Sequence, residues 1–348
     1  MEDLPATVIV GGFYGDEGKG KIIAHLALHD HPTVAARGGV GPNAGHTVEY
    51  NGKTFKLRML PSTFLYERCR LLIGPGVLVN PKVFLEELKM TGTESRAGLD
   101  PQCSIIEEGH IQRDKADPHL SQIIKTTGTG IGPATEDRVK RIAKTAHQID
   151  ELKPYLVDVP LAVNQALDRE ENVIIEGTQG TFISLVHGTY PFVTSKDVTA
   201  SATCADVGVG PRRVNDVIIV FKSFVTRVGA GPLDGEISEE EASKRGWSEL
   251  ATVTGRQRRA APFDFALASR GVMLNSANQI ALTKFDVLYP EVKGVRNFEE
   301  IPSKGKEFIE EIEHKTGAMV TLIGTGADSM AIIDRRREVS KTKVGATT

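Results

Sequence analysis

The glycine-rich stretch at residues 15–21, GDEGKGK, constrains this chain more than any other segment, because it directly follows a short apolar run at residues 7–12. A strand that leads through a glycine-rich turn into a helix binds phosphate well, since N–H groups at the start of the helix point at the anion. The stretch fits G-x-x-x-x-G-K, but Ile22 stands where that pattern has a magnesium-binding Ser or Thr. Because Asp16 and Glu17 lie inside the loop, Asp16 is the candidate metal ligand. Taken alone, the stretch is equally compatible with an ordinary turn.

Short runs rich in Val and Ile recur along the chain, and most are flanked by segments with helical spacing. The predicted strands lie at residues 8–10, 173–175, 217–221, 280–282 and 320–323, and the predicted helices at residues 82–89, 136–146, 162–167, 263–274 and 304–315. This order predicts an α/β fold with a mostly parallel central sheet covered by helices. Alternating residues around Asn51-Gly52 predict a β-hairpin within residues 47–60. We expect one large domain with insertions over residues 1–338 and a flexible tail over residues 339–348.

Composition and charge narrow the class of protein. The net charge of −3 over 348 residues indicates no general attraction to nucleic acid or to an anionic membrane. Three scattered cysteines without C-x-x-C spacing favour a reducing compartment, and no apolar run approaches the ~20 residues of a membrane span. We therefore expect a cytoplasmic protein that binds neither nucleic acid nor membrane.

His25 and His29 lie one helical turn apart without an accompanying glutamate pattern, which favours a plain helix surface over a metal site.

Four further loops carry residues suited to binding anions or transferring protons. Residues 37–47 are dense in glycine and contain His46, which can act as a general acid near pH 7, although a tight turn with a surface histidine is the simpler interpretation. Residues 126–133 and 176–195 offer hydroxyl groups, and the latter begin at the end of a predicted strand, where α/β folds place ligands. Residues 252–259 concentrate arginines in a mobile loop, which suits a dicarboxylate but equally a nucleic-acid patch.

The segment Thr283-Lys284-Phe285-Asp286 ends a predicted strand and mimics the N-K-x-D signature by which GTP-binding proteins read guanine. An aspartate accepts hydrogen bonds from guanine N1–H and from the 2-amino group, and the lysine stem packs on the base. Adenine lacks both donors in that position, so the carboxylate would stay unpaired. An ordinary strand end with a Lys and an Asp is the alternative interpretation of this segment.

Taken in this order, these segments resemble the adenylosuccinate synthetase family, and specifically its shorter archaeal branch. The matching blocks span most of the chain, at residues 15–21, 43–47, 126–134, 176–181, 187–200, 254–259 and 283–286. The resemblance implies a ligase of purine biosynthesis that converts IMP, GTP and L-aspartate into adenylosuccinate, GDP and phosphate, with Mg²⁺. A 6-phosphoryl-IMP intermediate is implied, because the 6-oxygen of hypoxanthine is a poor leaving group until it is phosphorylated.

The resemblance also implies roles for individual residues. Asp16 would remove the N1 proton of IMP and bind Mg²⁺, and the carbonyl of Gly45 would complete the metal shell. Lys19 would stabilise charge on the phosphates, and His46 would act as an acid on the phosphate side. Arg141 would reach the IMP phosphate of the neighbouring subunit, which implies a homodimer with shared sites.

The remaining implied contacts fall into three groups by substrate. The IMP contacts are Asn43, Thr127, Arg141, Gln179 and Thr194. The aspartate contacts are Thr254, Arg256 and Arg258. The GTP contacts are Gly15, Glu17, Gly18, Gly20, Lys21, Thr47, Lys284, Asp286, Gly324 and Gly326.

The chain departs from the family pattern at a few positions and leaves two alternative functions open. Phe13-Tyr14 replaces the common Gln-Trp, Gln257 interrupts the arginine run, and Gly324 stands where many members have Ser. A phage-borne branch acts on dGMP to make the 2-amino analogue for diaminopurine DNA, but it usually lacks the loop aspartate that this chain keeps as Asp16. A GTP-binding switch without synthetase chemistry would leave His46 and the arginines unused.

Overall fold

The computed structural model describes residues 6–251, 253 and 255–337. The strands are β1 (Ala6–Gly11), β2 (Val34–Arg37), β3 (His46–Tyr50), β4 (Lys53–Leu57), β5 (Arg70–Ile73), β6 (Leu78–Val79), β7 (Ala97–Leu99), β8 (Ser104–Ile105), β9 (Val173–Glu176), β10 (Asp216–Lys222), β11 (Val225–Arg227), β12 (Arg259–Ala261), β13 (Gln279–Thr283), β14 (Met319–Gly324) and β15 (Ile332–Asp334). The α-helices are α1 (Lys19–Asp30), α2 (Pro81–Thr91), α3 (Glu108–Ala116), α4 (Ile131–Lys140), α5 (Val159–Asp168), α6 (Ala200–Val207), α7 (Glu239–Lys244), α8 (Phe265–Asn275), α9 (Phe285–Leu288) and α10 (Ser303–Thr316).

A nine-stranded sheet forms the centre of the molecule, in the order β15-β14-β13-β10-β1-β9-β2-β5-β7. Its strands pair in parallel, except that β15 runs antiparallel to β14. The predicted mostly parallel sheet is therefore confirmed. The predicted hairpin is also present, as the antiparallel pair β3 and β4.

Helices cover both faces of the sheet, as its unalternating apolar strands predict. Along β1, Val8 and Val10 pack into one buried cluster with residues of α5, α6, α8 and α10, whereas Ile9 packs into a second cluster with residues of α1 and α2. Because successive strand residues point to opposite faces, each buried strand contributes to both clusters. The carboxyl ends of the parallel strands stay uncovered by this packing, and the candidate loops begin there.

Helix α4 differs most from its prediction. The spacing predicts a helix over residues 136–146, but the helix spans Ile131–Lys140. It starts early because Gly130 adopts a left-handed conformation at its N-cap and Pro133 falls in the first turn, where proline is tolerated. It ends early because Arg141 is left-handed, with φ of 66°. The division into a domain over residues 1–338 and a tail stays a prediction, and residues 338–348 lie outside the described part.

The prediction that His25 and His29 form a plain helix surface is wrong for His25. Its side chain is buried and stacks on the His29 ring, with centroids 4.0 Å apart. Its Nε2 lies 3.6 Å from Asp334 Oδ2, and burial lowers the pKa of the imidazole.

Within the described ranges, no cluster of three or more His, Cys, Asp or Glu is arranged to hold a metal. Among the described helices, none combines the length and apolar character needed to cross a bilayer.

Candidate active site

A cavity of about 680 Å³ opens at the carboxyl ends of the parallel strands. Most of the predicted site residues line it: Gly15, Asp16, Glu17, Gly18, Lys19, Gly20, Lys21, Asn43, Gly45, His46, Thr47, Thr127, Gln179, Thr194, Arg256, Arg258, Lys284 and Gly326. Arg141, Asp286 and Gly324 are not part of its lining, and Thr254 lies outside the described residues. Segments more than 300 residues apart in sequence therefore meet at one end of the sheet.

The phosphate loop, residues 12–18, connects β1 to α1 and is organised by Glu17. The Glu17 side chain is 1% exposed, and its Oε1 accepts hydrogen bonds from the amides of Gly15 (2.7 Å) and Phe13 (3.0 Å). Its Oε2 lies 3.0 Å from Lys19 Nζ, which also donates to the carbonyl of Gln179. The Glu17 side chain thus shapes the loop from inside, and the GTP contact of this residue stays a prediction that its backbone would have to meet.

Three further features distinguish the phosphate loop and the first turn of α1 as a binding site. Gly18 has φ of +92° at the N-cap of α1, and no side chain caps the first turn of the helix. Asp16 adopts a left-handed conformation with φ of 62°, which non-glycine residues rarely adopt and which is typical of functional sites. Lys21, one helical turn on, donates to the carbonyls of Gly326 and Ala331, and burial lowers its pKa to about 8.

His46 lies at the start of β3 and is held by a buried pair that the sequence analysis did not predict. Its Nδ1 lies 2.5 Å from Oε1 of Glu176, which also accepts from Arg37 at 2.8 Å. Arg37 ends β2 and Glu176 ends β9, and the register of these strands makes the two residues direct neighbours. The amide of Ser62 donates to the other oxygen of Glu176 at 2.6 Å. The family resemblance covers residues 176–181 but implies no role for the Glu176 carboxylate.

These contacts fix the protonation of His46 in the ligand-free protein. Burial, aided by the charge of Arg37, lowers the pKa of the imidazole to about 4. The interpretation of His46 as a surface histidine in a tight turn is therefore wrong, since the ring is buried, whereas its role as a general acid stays a prediction. Because Glu176 only accepts, the proton sits on Nδ1, and Nε2 is buried without a hydrogen-bond partner.

The arginine hairpin, residues 249–258, brings a second set of charges into the cavity; residues 252 and 254 lie outside the described part. Arg258 Nη1 lies 2.5 Å from Glu249 Oε2, and Arg258 Nε lies 3.2 Å from Asp16 Oδ2. Glu249 also contacts Lys222 at 2.7 Å and Lys284 at 3.1 Å. Burial alone would raise the pKa of Glu249, but the charges of these three cations hold it well below its usual range. Glu249 was not predicted as a site residue.

Arg256, at the other predicted clamp position, connects the arginine hairpin to the predicted IMP loop. Its Nη1 donates to the carbonyl of Lys125 and its Nη2 to that of Thr126, both at 2.9 Å. The loop itself is held by Asp114, which accepts from the Thr126 hydroxyl and from the Gly130 amide, each at 2.8 Å. Across the cavity, the Asn43 amide donates to the Thr194 hydroxyl at 3.4 Å.

The predicted guanine readers lie at the end of β13. Lys284 is left-handed, with φ of 58°, and forms the N-cap of α9. Oδ1 of Asp286 is buried and has no hydrogen-bond partner, as expected of an acceptor meant for a ligand. A Cβ at Gly324 would lie 3.1 Å from Lys21 Nζ, so the glycine leaves room for that ammonium group. The structure thus gives a reason for one departure from the family pattern.

A second departure, Tyr14, lines the cavity beneath a buried arginine. The guanidinium of Arg227 lies 4.4 Å from the centre of the Tyr14 ring. Arg227 is itself fixed by the carbonyls of Phe192 (2.9 Å), Ala230 (3.0 Å) and Pro232 (2.8 Å). Burial raises the pKa of the Tyr14 phenol. Tyr14 therefore forms a rigid aromatic side of the cavity, although many family members have Trp at this position.

Comparison with known proteins shows the family to which the chain belongs. The family model of adenylosuccinate synthetase matches residues 8–149 and 142–293. The adenylosuccinate synthetase of Archaeoglobus fulgidus is 56% identical, over 96% of this chain and 99% of the relative. That of Methanocaldococcus jannaschii is 54% identical, over 97% of this chain and 98% of the relative. The chain belongs to the adenylosuccinate synthetase family.

Solved structures show that the adenylosuccinate synthetase fold is present throughout. The fully ligated adenylosuccinate synthetase from Plasmodium falciparum superimposes with a TM-score of 0.88 at 24% identity, over 95% of this chain and 100% of that chain. The succinoaminodeoxyadenylate synthetase of cyanophage S-2L, bound to dGMP and dATP as an energy donor, gives 0.80 at 22% identity, over 97% of each chain. The predicted family, the resemblance to its archaeal members and the α/β fold are confirmed.

Membership of this family also decides whether the chain is an enzyme or a GTP-binding switch without synthetase chemistry. The prediction that the chain is an adenylosuccinate synthetase, a GTP-binding ligase of purine biosynthesis, is confirmed by its relatives. A GTP-binding switch without synthetase chemistry would not account for the buried His46 or for the two arginines in the same cavity.

Proposed function

We propose that this adenylosuccinate synthetase joins IMP to L-aspartate at the expense of GTP, through the residues that line its cavity. One observation carries the proposal: Asp16, His46, Arg258 and Lys284, each from a different segment, line a single cavity at the end of the sheet. A carboxylate base, an imidazole, a carboxylate-binding arginine and a guanine reader are what the reaction needs together.

In the first step, the Asp16 carboxylate takes the N1 proton of IMP, and the electron pair makes the 6-oxygen nucleophilic. That oxygen forms a bond to the γ-phosphorus of GTP, while the bond from this phosphorus to the GDP oxygen breaks. Lys19 and the amides at the start of α1 stabilise the charge on the transferred phosphoryl group. The negative charge of the bound phosphates would raise the pKa of His46, so that its unpartnered Nε2 takes up a proton and donates it in a hydrogen bond to a phosphate oxygen.

In the second step, the amine of L-aspartate forms a bond to C6, and the bond from C6 to the phosphorylated oxygen breaks. Phosphate leaves with the electron pair and takes up the proton that the amine loses. Arg256 and Arg258 bind the carboxylates of the substrate, because a guanidinium fork matches a carboxylate in two hydrogen bonds. Thr254 is assigned to the same clamp. Asn43, Thr127, Gln179 and Thr194 hold IMP.

The donor set in the cavity suits Mg²⁺. The carboxylate of Asp16 and the backbone of Gly45 both line the cavity, and Mg²⁺ prefers oxygen ligands, often one or two carboxylates together with substrate phosphates. Asp16 and the Gly45 carbonyl would hold the ion, which neutralises charge on the phosphates when bound. Asp16 thus serves both the metal and the proton, in line with its unusual backbone conformation.

The remaining assignments concern GTP and a partner subunit. Gly15, Gly18, Gly20, Lys21 and Thr47 bind the phosphates, and Lys284 and Asp286 read guanine beneath the loop that holds Gly324 and Gly326. Arg141 is exposed, left-handed and outside the cavity lining. A residue so placed fits a role in the site of a second subunit, so we propose a homodimer with shared sites.

The experiment compares IMP with dGMP as acceptor, with GTP, Mg²⁺ and L-aspartate present, and resolves products by mass. We expect adenylosuccinate from IMP and none from dGMP, because the Asp16 carboxylate would crowd the 2-amino group of guanine. A parallel series with ATP in place of GTP tests the role of Asp286. Product from dGMP would show that the enzyme catalyses the diaminopurine reaction instead. Release of GDP without a succinyl product would refute the proposal.

A further inference from the structure

Glu249 binds cations from both ends of the cavity, and no step of the proposed mechanism uses it. Its side chain is 12% exposed. Its Oε2 contacts Arg258 and Lys222, while its Oε1 contacts Lys284. We propose that Glu249 is a positioning residue that prevents Arg258 from forming a two-pronged, hydrogen-bonded pair with the nearby catalytic carboxylate of Asp16, and that couples the guanine end of the site to the aspartate end. This inference rests on the proposed function, since the roles of the residues it connects come from there.

The backbone of the arginine hairpin places Glu249 directly opposite Arg258. The amide of Arg258 donates to the carbonyl of Glu249 at 2.9 Å, and the amide of Ala251 donates to the carbonyl of Arg256 at 2.8 Å. Residues that face each other across an antiparallel pair have neighbouring side chains. The contact between Arg258 and Glu249 is therefore built into the pairing of the hairpin and does not depend on a ligand.

The position of Arg258 explains why such a partner is needed. Its side chain is 9% exposed, so its guanidinium has little access to solvent. Its Nε lies 3.2 Å from Asp16 Oδ2 yet makes no hydrogen bond, because Glu249 holds the group through Nη1. Without the Glu249 carboxylate, a two-pronged pair between Arg258 and Asp16 becomes the favoured arrangement. That pair would occupy the lone pairs with which Asp16 takes the proton of IMP.

The two carboxylate oxygens of Glu249 contact residues assigned to different substrates, since Oε1 contacts Lys284 and Oε2 contacts Arg258. A donor nucleotide that draws Lys284 onto its base changes the charge around Glu249, and hence the hold of Glu249 on Arg258. An aspartate carboxylate that engages Arg258 changes the same balance from the other side. Coupling of this kind is reciprocal, so each substrate alters the affinity of the other.

The test is steady-state kinetics on the full chain carrying Glu249→Gln, which removes the charge and keeps the shape. We expect kcat to fall about tenfold or more, and KM for L-aspartate and for GTP to rise about tenfold each, as for removal of one partner of a desolvated charge pair. KM for IMP should stay within about twofold, because no IMP contact touches Glu249. A rise in KM for IMP equal to the other two would indicate general damage and overturn the inference.

The matched control is Glu236→Gln. Glu236 pairs with Arg259, the residue next to Arg258, with Nε 2.8 Å from Oε1, but neither side chain lines the cavity. This variant should leave all four kinetic constants unchanged. If the unmodified enzyme is active and Glu249→Gln behaves like Glu236→Gln, the inference is wrong while the proposed function stands. If the unmodified enzyme makes no adenylosuccinate, the proposed function itself fails.

A second variant covers the case in which Glu249→Gln does not fold. Lys284→Gln keeps Glu249 and removes one of its three cations, so that the carboxylate binds Arg258 and Lys222 more strongly. We expect KM for L-aspartate to rise about threefold or more, although Lys284 is assigned to the guanine base. An effect on KM for GTP alone would contradict the coupling.

Discussion

The phosphate loop and the arginine hairpin line the same cavity, but their charged groups are satisfied in different ways. At the phosphate loop, Glu17 binds Lys19 at the start of α1, and both side chains also bind nearby backbone groups. In the arginine hairpin, the charged side chains also reach Asp16, Lys222 and Lys284, together with carbonyls of the predicted IMP loop. The phosphate loop is shaped mainly from inside by Glu17, whereas the arginine hairpin takes its shape from several neighbours.

This difference corresponds to what each segment must bind. A triphosphate needs donors that are oriented before it arrives, because preorganised donors need no rearrangement during the reaction. The arginine hairpin instead holds Arg256 and Arg258 through groups of several other segments, so that their affinity for a ligand depends on these neighbours. Substitutions should therefore damage the phosphate loop through its folding and the arginine hairpin through its ligand affinity.

The largest effect is expected where the two segments touch, at Asp16. Asp16→Asn should lower turnover about 10³-fold or more, because the variant cannot take the N1 proton and binds a cation more weakly. Formation of adenylosuccinate from IMP, GTP and L-aspartate measures it. Asp150→Asn, which changes an exposed carboxylate paired with Lys153, serves as control and should be unaffected. Near-normal turnover of Asp16→Asn would refute the mechanism.

A large loss of stability is expected from Glu17→Gln. The carboxylate is buried against Lys19, so neutralising it leaves a buried ammonium group without its charged partner. The free energy of unfolding should fall by about 3–5 kcal/mol, as for other broken buried pairs. Urea denaturation followed by circular dichroism measures it. Glu236→Gln, which breaks a much more exposed pair with Arg259, is the comparison, and a loss in that variant as large as in Glu17→Gln would refute this cause.

The sequence predicted the phosphate loop, the hairpin and the parallel sheet well, because each depends on local pattern. It did not predict Glu249 or the pair of Glu176 and Arg37, because an isolated glutamate or arginine carries no local signal. Glu176 and Arg37 lie 139 positions apart and meet only when β9 and β2 pair in register. A carboxylate at the end of a fully apolar strand, as in Val173–Glu176, is the one feature that could have indicated a buried partner.

The free energy of unfolding should depend on pH through His46, whose side chain packs against Gly20 near the phosphate loop. Its native pKa of about 4 lies below the unfolded value of about 6.5, so between these values the unfolded chain binds more protons. Stability contributed by the neutral ring should therefore fall by about 2 kcal/mol from pH 7 to pH 5. Urea denaturation of the ligand-free protein at several pH values measures this dependence.

His46→Gln is the control for that dependence, since glutamine does not titrate. The difference between the two proteins isolates the imidazole from other groups, including His25, whose pKa is lowered in the same direction. Equal pH dependence in both proteins would show that His46 titrates normally in the native state and is not held neutral by its surroundings.

The smallest effect is expected from Arg256→Leu, and it tests whether the arginine hairpin acts on one substrate or two. Loss of the guanidinium should raise KM for L-aspartate about tenfold, which corresponds to about 1.4 kcal/mol. KM for IMP should rise only about twofold, because Arg256 also holds the carbonyls of Lys125 and Thr126 next to the predicted IMP contact Thr127. Arg256→Lys keeps the charge but lacks the planar fork that spans both carbonyls, so it should restore part of the aspartate affinity and none of the IMP affinity. Equal changes for both substrates in Arg256→Leu would mean that Arg256 serves the loop and not the aspartate clamp, and the contrast between the two segments would then rest on Arg258 alone.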